Sequence, residues 1–391
     1  MPWETKTTMS QRLEFIHLAG QEGANVRELC RRFGVSPPTA YKWLARHRAD
    51  GDAGLADRSR RPRRSPDRTA AAVEAAVVAL RQRHPAWGGR KLRRRLQDLG
   101  QAPVPAASTI TAVLRRHGLL GPGPAAPGPY RRFEAAAAND LWQMDFKGHF
   151  ALGDGGRCHP LTVLDDHSRF ALGLVACGHE QGPLVQRHLT DCFRRFGLPA
   201  RLLCDNGPPW GDSQTLVRHT RLTVWLLRLG VGVSHGRPHH PQTQGKDERF
   251  HRSLTAEVLQ GRRFADLPDC QRHFDAWRAV YNHERPHEAL ALRVPSSRYR
   301  ASPRPLPERL PEWEYDTTDA VRKVQADGTI SFRGRDWLVG EAFRGERVAV
   351  RPTTRDGLWQ VYFGAHPVAE IDLLAIKPPD DTCVNHVPEH L

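Results

Sequence analysis

The chain has 391 residues, 39% of them hydrophobic and ten of them tryptophan, so it is too long for one ordinary domain and apolar enough for several cores. Its formal net charge is +15, and residues 1–130 contribute most of it, with 23 Lys and Arg against 10 Asp and Glu. Seven scattered cysteines without a CxxC pair exclude a disulfide framework and a cysteine zinc site, and no apolar run reaches the length of a membrane span. We therefore expect a multidomain cytoplasmic protein without a membrane partner, whose basic amino-terminal part binds a polyanion, most simply DNA.

Residues 1–50 predict a first helix-turn-helix DNA-binding domain. A helix over Val26–Phe33 should end at Gly34, and a third helix should follow Ser36, with two prolines in its first turn, where their missing N–H groups are tolerated. A Phe-Gly-Val-Ser turn between two helices is typical of this motif. The alternative is a three-helix bundle with a purely structural role. The residues expected to reach the major groove and its phosphates are Thr39, Tyr41, Lys42 and Arg46.

Residues 51–68 are rich in Arg and Pro and predict a basic linker that either contacts phosphates or is a solvated tether. Residues 69–120 predict a second helix-turn-helix domain with apolar stripes such as Val73, Val77 and Leu80. Its basic residues are expected to contact DNA phosphates, with a solvated helix face as the alternative: Arg93, Arg94, Arg95, Arg115 and Arg116. Residues 121–138 open with GPGPAAPGPY and predict a Gly/Pro linker.

The stretch 141–152 predicts a strand with an acid in its middle. Its even positions are apolar and its odd positions are mostly polar, which is the alternation of a half-buried strand. Asp145 lies on the polar face, and because Asp is a poor strand former, we expect it to be there for chemistry.

Two further acids stand at the ends of predicted elements. Asp205 follows the apolar run 202–204 and precedes an Asn-Gly-Pro-Pro turn, so it is expected at the carboxyl end of a strand. Glu248 lies in a predicted helix whose apolar stripe includes Phe250 and Leu254, and it should point away from that stripe toward a cleft. Carboxylates from two strands and a helix are the oxygen ligands that a pair of Mg²⁺ ions requires, with solvated surface charges as the alternative.

The remaining elements complete a core and a carboxy-terminal domain. Residues 157–177 predict two strands joined by a turn, in which Asp166 is a rival carboxylate with a structural role as the favoured interpretation. Helices near 181–196 and 213–229 and a strand at 231–235 complete an order typical of a mixed α/β sheet. Short alternating segments with glycine turns over residues 317–376 predict a small all-β barrel.

Three segments carry a resemblance to a known family: QMDFKG around Asp145, CDNGPPW around Asp205 and HPQTQGKDERFHRSL around Glu248. They resemble the catalytic blocks of bacterial insertion-sequence DDE transposases with a retroviral-integrase-like core. The stretch 276–299 is similar to the segment that follows this core. The gap of 42 residues between the second and third acids exceeds the family's usual spacing, and Asp247 is a further acid directly before the third.

The resemblance implies a ribonuclease-H-like catalytic core with a mixed sheet and trailing helices over residues 139–300. It implies that Asp145, Asp205 and Glu248 are both the catalytic acids and the ligands of two Mg²⁺ ions, with Mn²⁺ as the alternative metal. It further implies cleavage at the inverted repeats that end a mobile element and attack on double-stranded target DNA within a homodimer or higher oligomer. Lys246 and Arg249, which flank the third acid, are expected to hold the DNA backbone or to be surface charges.

Two other functions are alternatives to a transposase. One is a non-catalytic DNA-binding regulator of an insertion element, and the other is a ribonuclease-H-like nuclease without joining activity. The presence of all three acids disfavours the regulator, because a protein that only occupies DNA has no need for clustered carboxylates. An assay with labelled DNA ends distinguishes the three functions. Joined products indicate a transposase, cut ends alone indicate a nuclease, and bound but uncut DNA indicates a regulator.

Overall fold

The computed structural model describes residues 7–58, 69–121, 134–211, 219–235 and 245–374. Two compact units divide the chain, Met1–Arg68 and Thr69–Leu391, and each is described by itself. Among the described residues, no helix has the length and apolar content needed to span a bilayer.

The first unit contains the three predicted helices: α1 (Thr8–Ala19), α2 (Val26–Phe33) and α3 (Pro37–Asp50). The Asn25 side chain caps α2 by accepting hydrogen bonds from two backbone N–H groups, and Gly34 ends α2 in the left-handed conformation (φ 63°) that favours glycine. Phe15, Ala40 and Trp43 lie in the small core that the helices share. The helix-turn-helix prediction is confirmed, and it follows from capping residues that the sequence displays.

The second unit begins with three more helices: α4 (Ala71–Arg83), α5 (Gly89–Asp98) and α6 (Ala107–Arg116). Trp87, Leu92 and Ile110 are fully buried between them. A Cβ atom on Gly89 would lie 2.5 Å from the carbonyl oxygen of Ala107, so only glycine allows α5 to approach α6 this closely. Three helices therefore occupy the region predicted as a second helical domain, whereas most of the linkers predicted over residues 51–68 and 121–138 lies outside the described residues.

The core is a six-stranded mixed sheet. Its strands are β1 (Leu141–Phe146), β2 (Phe150–Ala151), β3 (Arg157–Asp165), β4 (Ala171–Cys177), β5 (Arg201–Cys204) and β6 (Gly232–His235). Strand β1 lies between β3, to which it is antiparallel, and β5, to which it is parallel, and β6 lies outside β5. The predicted mixed sheet of the core is confirmed, and it places β1 beside β5, the strand that leads to Asp205.

Helices cover both faces of the sheet: α7 (Gly182–Phe196), α8 (Arg221–Arg228), α9 (Gly245–Leu254) and α10 (Leu267–His283). Trp142 and Met144 of β1 pack with α7 and α8 in one cluster. Phe250 and Leu254 of α9 pack in another cluster with residues of β3, β4 and α10. The alternation along β1 thus turns its even residues toward α7 and α8, and leaves Gln143 and Asp145 on the face that α9 covers.

The carboxy-terminal part has six strands: β7 (Ala320–Lys323), β8 (Thr329–Phe332), β9 (Arg335–Leu338), β10 (Arg347–Pro352), β11 (Leu358–Phe363) and β12 (His366–Asp372). The predicted small barrel is not confirmed, because the described strands form an open four-stranded sheet, β12-β11-β10-β7, and a separate β8–β9 hairpin. Closure is not needed to bury the apolar residues, since Val224 and Leu227 of α8 join the hairpin and the sheet in one core.

Replacement of Leu189 by Ala should cost about 2 to 5 kcal/mol of unfolding free energy, because this fully buried α7 residue leaves a cavity in the main cluster. The matched control is Leu99→Ala, since Leu99 is 59% exposed and its truncation leaves no cavity. Urea unfolding followed by tryptophan fluorescence measures both. Equal losses in the two variants would contradict the proposed core.

Candidate active site and nucleic-acid interface

Asp145 and Asp205 lie on neighbouring parallel strands. The register pairs Gln143 with Leu203, and its extension by two residues brings Asp145 level with Asp205, which directly follows β5. Neighbouring strands are about 4.8 Å apart, so the two carboxylates share one edge of the sheet. Asp145 is half-buried, whereas Asp205 is exposed and accepts a hydrogen bond of 2.7 Å from the backbone N–H of Asn206.

Glu248 lies in the first turn of α9, away from the buried stripe of that helix. Its side chain is exposed, whereas Phe250 and Leu254 on the opposite side are buried. The backbone hydrogen bonding of α9 continues from Thr255 to Leu259 as one π-helical turn. The predicted orientation of Glu248, away from the apolar stripe, is the one that the helix has.

Asp145 is affected by burial and by the neighbouring acids. Together they raise its pKa to about 7: burial is the largest cause, the negative charges of Asp205, Glu180 and Glu248 add to it, and a hydrogen bond from the Phe146 N–H opposes the shift. Like charges in a partly buried site disfavour ionisation and favour any cation that neutralises them. Within the described ranges, no group of three His, Cys, Asp or Glu side chains is gathered closely enough to hold a metal ion. The carboxylates therefore fit a divalent cation in chemistry and charge, although they are not drawn together around one.

Asp247 is an acid whose position the sequence analysis did not explain. It is 1% exposed, and within the described ranges neither of its carboxylate oxygens has a hydrogen-bond partner. Burial raises its pKa well above the ordinary value, and Asp145 and Asp166 add to the effect. The sequence contains a signal for this burial, because positions 247, 250 and 254 have the spacing of one buried helix face.

Asp166 and Lys246 form a buried ion pair that attaches α9 to the sheet. The Asp166 side chain is fully buried and also accepts hydrogen bonds from Gln143 Nε2 and the Ala135 N–H, both at 2.7 Å. This supports the structural interpretation of Asp166. The Lys246 ammonium group, predicted to contact DNA, is instead paired within the protein, because its side chain lies over the turn after β3 and is only 17% exposed.

The first unit keeps its predicted DNA-facing residues accessible to different degrees. Tyr41 is 56% exposed, and Thr39 is half-buried with its hydroxyl 2.9 Å from that of Ser36. The charged groups of Lys42 and Arg46 lie over the Trp43 ring, 4.8 and 5.0 Å from its centroid. Contact with the aromatic face holds both cations near α3 without neutralising them, so they can still attract phosphate.

The arginines of the second helical domain separate into two classes. Arg93 and Arg115 are exposed. Three others are in ion pairs: Arg94 with Asp98 at 2.8 Å, Arg116 with Glu74 at 3.0 Å, and Arg95 with Glu284, which directly follows α10. Arg249 is 56% exposed and lies 3.5 Å from Glu288. Arg95 thus joins α5 to the core, a role that helix periodicity alone does not reveal.

Family comparisons agree with this architecture. A profile described as "IS481 family transposase, C-terminal domain" matches residues 319–378, and integrase core domain profiles match residues 135–241 and 229–295. A helix-turn-helix domain profile matches residues 11–63, and a homeodomain-like profile matches residues 39–114. The resemblance to insertion-sequence transposases with an integrase core is thereby confirmed.

Relatives with curated names come from insertion elements. The "Insertion element IS407 uncharacterized 31.7 kDa protein" of Burkholderia multivorans is 31% identical over 160 residues, which is 41% of this chain and 55% of that protein. The "Insertion element IS476 uncharacterized 39.2 kDa protein" of Xanthomonas euvesicatoria is 28% identical over 289 residues, covering 71% of this chain and 77% of that one. This chain thus spans little more than half the length of the first relative.

A solved structure also aligns with the chain. It is a chain from a simian T-cell lymphotropic virus intasome in complex with a PP2A regulatory subunit, with 15% identity and a TM-score of 0.35, covering 74% of this chain and 97% of that one. This score is too low to identify a fold, so the assignment of the core rests on its sheet topology and on the integrase core profiles.

Replacement of Asp145 by Asn should change the pH dependence of stability. The pKa of Asp145 is about 7 in the folded chain against an ordinary value of 3.8, so the folded state holds this proton more tightly than the unfolded state. The resulting stabilisation is complete below the unfolded value and is lost as the pH rises through about 7. In EDTA, the wild type should therefore lose more stability than Asp145→Asn between pH 5 and pH 8, as measured by thermal melting. The same change of melting temperature with pH in both proteins would contradict the raised pKa of Asp145.

Replacement of Lys246 by Met should destabilise the chain by about 3 kcal/mol, because it leaves the buried Asp166 carboxylate without its cation. Arg249→Met removes a cation from the same helix, but an exposed one, and should cost less than about 1 kcal/mol. Urea unfolding of the two variants gives the comparison. Equal stabilities would show that the ion pair does not attach α9 to the sheet.

Proposed function

We propose that this chain is a DNA transposase that binds the ends of its element and carries out metal-dependent strand cleavage and strand transfer into double-stranded target DNA. The helix-turn-helix domains would supply DNA binding, and the integrase core would supply the chemistry. The observation that supports this most directly is the convergence of Asp145 and Asp205 at one sheet edge, with Glu248 close enough to raise the pKa of Asp145. These are the acids on which the family resemblance depends.

Asp145, Asp205 and Glu248 would hold Mg²⁺, or Mn²⁺ in its place. Two such ions bound here would activate the attacking oxygen and stabilise the leaving oxygen of the scissile phosphate. The chain itself contributes acids from different elements: Asp145 is fixed in mid-strand, Asp205 directly follows β5, and Glu248 lies on the outer side of α9. The exposure of Asp205 and Glu248 leaves room for DNA to approach from solvent.

DNA would be held by the accessible basic residues, since paired ones are already neutralised. Arg93 and Arg115 are exposed and suit phosphate contact, whereas Arg249 is exposed but lies 3.5 Å from the Glu288 carboxylate. Tyr41, Lys42 and Arg46 lie on α3, the helix that follows the turn of the motif and would enter the major groove. Because two element ends must be brought together for transfer, the active form would be a homodimer or a larger assembly on DNA in the cytoplasm.

Replacement of Glu248 by Gln should leave binding to element ends unchanged and reduce strand transfer in Mg²⁺ to background, because only a carboxylate charge is lost from an exposed position. A mobility-shift assay and a labelled-end joining assay measure the two properties. Glu308→Gln, at another exposed acid, is the matched control and should transfer normally.

The same joining assay separates the proposal from its alternatives. Joined products from the wild type support a transposase. Cut ends without joining would indicate a nuclease, and bound but uncut DNA would indicate a regulator. Full transfer by Glu248→Gln would remove Glu248 from the site.

Replacement of Arg115 by Ala should lower DNA affinity and reduce the slope of log K against log salt by about 1, because one phosphate contact is lost. Arg116→Ala removes the same charge from the next residue, but Arg116 is paired with Glu74, so its effect on the slope should be smaller. Fluorescence anisotropy at several salt concentrations measures both slopes. A larger effect at Arg116 would refute this division of the arginines.

A further inference from the structure

The buried face of α9 is attached to the sheet at two points, one on each side of Asp247. On one side, Lys246 pairs with Asp166, which accepts a hydrogen bond from Gln143 of β1. On the other side, His251 Nε2 lies 2.9 Å from the hydroxyl of Thr162. That hydroxyl donates to the backbone oxygen of Asp145, its partner in the β1–β3 register.

These two attachments fix the position of Asp247. Gln143 and Asp145 are two residues apart on β1 and therefore project from the same face of the sheet. Asp247 follows Lys246 directly and precedes His251 by one helical turn, so it lies over the part of β1 that contains both residues. The carboxylate faces into the protein, whereas that of the adjacent Glu248 is exposed.

The polar atoms around Asp247 are acceptors without donors. Within the described part of the chain, neither carboxylate oxygen of Asp247 accepts a hydrogen bond. The same holds for the amide oxygen of Gln143, which is buried on the same face of the sheet. An unpartnered buried carboxylate costs several kcal/mol in general, so a native structure keeps one only where something else neutralises it.

Among the described residues, no cationic side chain forms an ion pair with Asp247, and the charge of Lys246 offsets the rise of its pKa only in part. The Lys246 ammonium group is paired with Asp166. His251 is kept neutral, because burial and the nearby Lys147 lower its pKa to about 4. What remains beside Asp247 is the half-buried carboxylate of Asp145.

We propose that Asp247 is a further ligand of the divalent cation held by Asp145, and that it reaches this cation from the protein interior. The inference rests on the proposed function, because it assigns another residue to the same metal site. Oxygen atoms without donors are the ligands that Mg²⁺ and Mn²⁺ prefer, and a cation between Asp145 and Asp247 would neutralise both.

The assignment gives the two adjacent acids of α9 different roles. Because successive helical residues point about 100° apart, Asp247 and Glu248 reach the site from different sides of one turn. Asp247 belongs to the buried stripe with Phe250 and Leu254, so the packing of the helix fixes its orientation. Glu248 lies on the exposed side of the helix, where its carboxylate would be accessible to bound DNA.

Mn²⁺ binding to the full-length chain tests the proposal directly. The number and affinity of bound ions can be measured by calorimetry and by the loss of the free-ion electron paramagnetic resonance signal. Asp247→Asn keeps the size of the side chain and should weaken Mn²⁺ binding about tenfold or more. Asp191→Asn removes an exposed carboxylate from α7, 3.4 Å from Arg194, and is the matched control that should bind as the wild type does.

Each outcome decides the matter. Wild-type affinity in Asp247→Asn overturns the proposal, and would mean that Asp247 carries a proton instead of facing a cation. A wild-type chain that binds no Mn²⁺ overturns it as well. If Asp247→Asn fails to fold, Asp247→Glu serves as the second variant, and it should shift Mn²⁺ affinity without removing binding, whereas an unchanged affinity counts against the proposal.

Failure of this inference is distinguishable from failure of the proposed function. The joining assay with Glu248→Gln tests the transposase activity without reference to Asp247. Strand transfer by the wild type together with unaltered Mn²⁺ binding in Asp247→Asn would leave the function standing and remove only the further ligand.

Discussion

The attachment of α9 to the central sheet is the constraint on which the site depends. Strand β1 carries Asp145 and α9 carries Asp247 and Glu248, so these acids stay near one another only while the helix keeps its position over the strand. Apolar packing of Phe250 and Leu254 supplies the driving force, but it leaves the helix free to shift along its axis. The directional contacts of Lys246 with Asp166 and of His251 with Thr162 remove that freedom, since a buried ion pair and a hydrogen bond tolerate little displacement.

This arrangement concentrates negative charge at one sheet edge in a strongly basic protein. Burial raises the pKa of Asp145, and three neighbouring carboxylates add to the effect. The Lys246 ammonium group near them is paired with Asp166. The exposed arginines Arg93 and Arg115 lie on α5 and α6, so the acidic sheet edge and these basic positions belong to different elements.

Ion pairs also decide which basic residues remain for a partner. Arg95 and Arg93 lie two positions apart on α5, yet Arg95 is paired with Glu284, which directly follows α10, and Arg93 is exposed. The pairing attaches the α5 helix to the core, and burial together with the charge of Arg285 lowers the pKa of Lys91 on the same helix to about 8. Part of the arginine-rich sequence therefore serves internal structure, and part faces solvent.

The sequence by itself determined the elements and the order of the acids. Alternation from 141 to 152 predicted β1 with Asp145 on its polar face, and capping residues predicted α2 and α3. These signals are local, because strand period, caps and turns act over a few residues. Only the tertiary structure decided that β1 is the neighbour of β5, that Lys246 is paired with Asp166, and that the described carboxy-terminal strands form an open sheet. Those outcomes depend on contacts between residues far apart in the chain, and the period of a single element carries no information about which partner it meets.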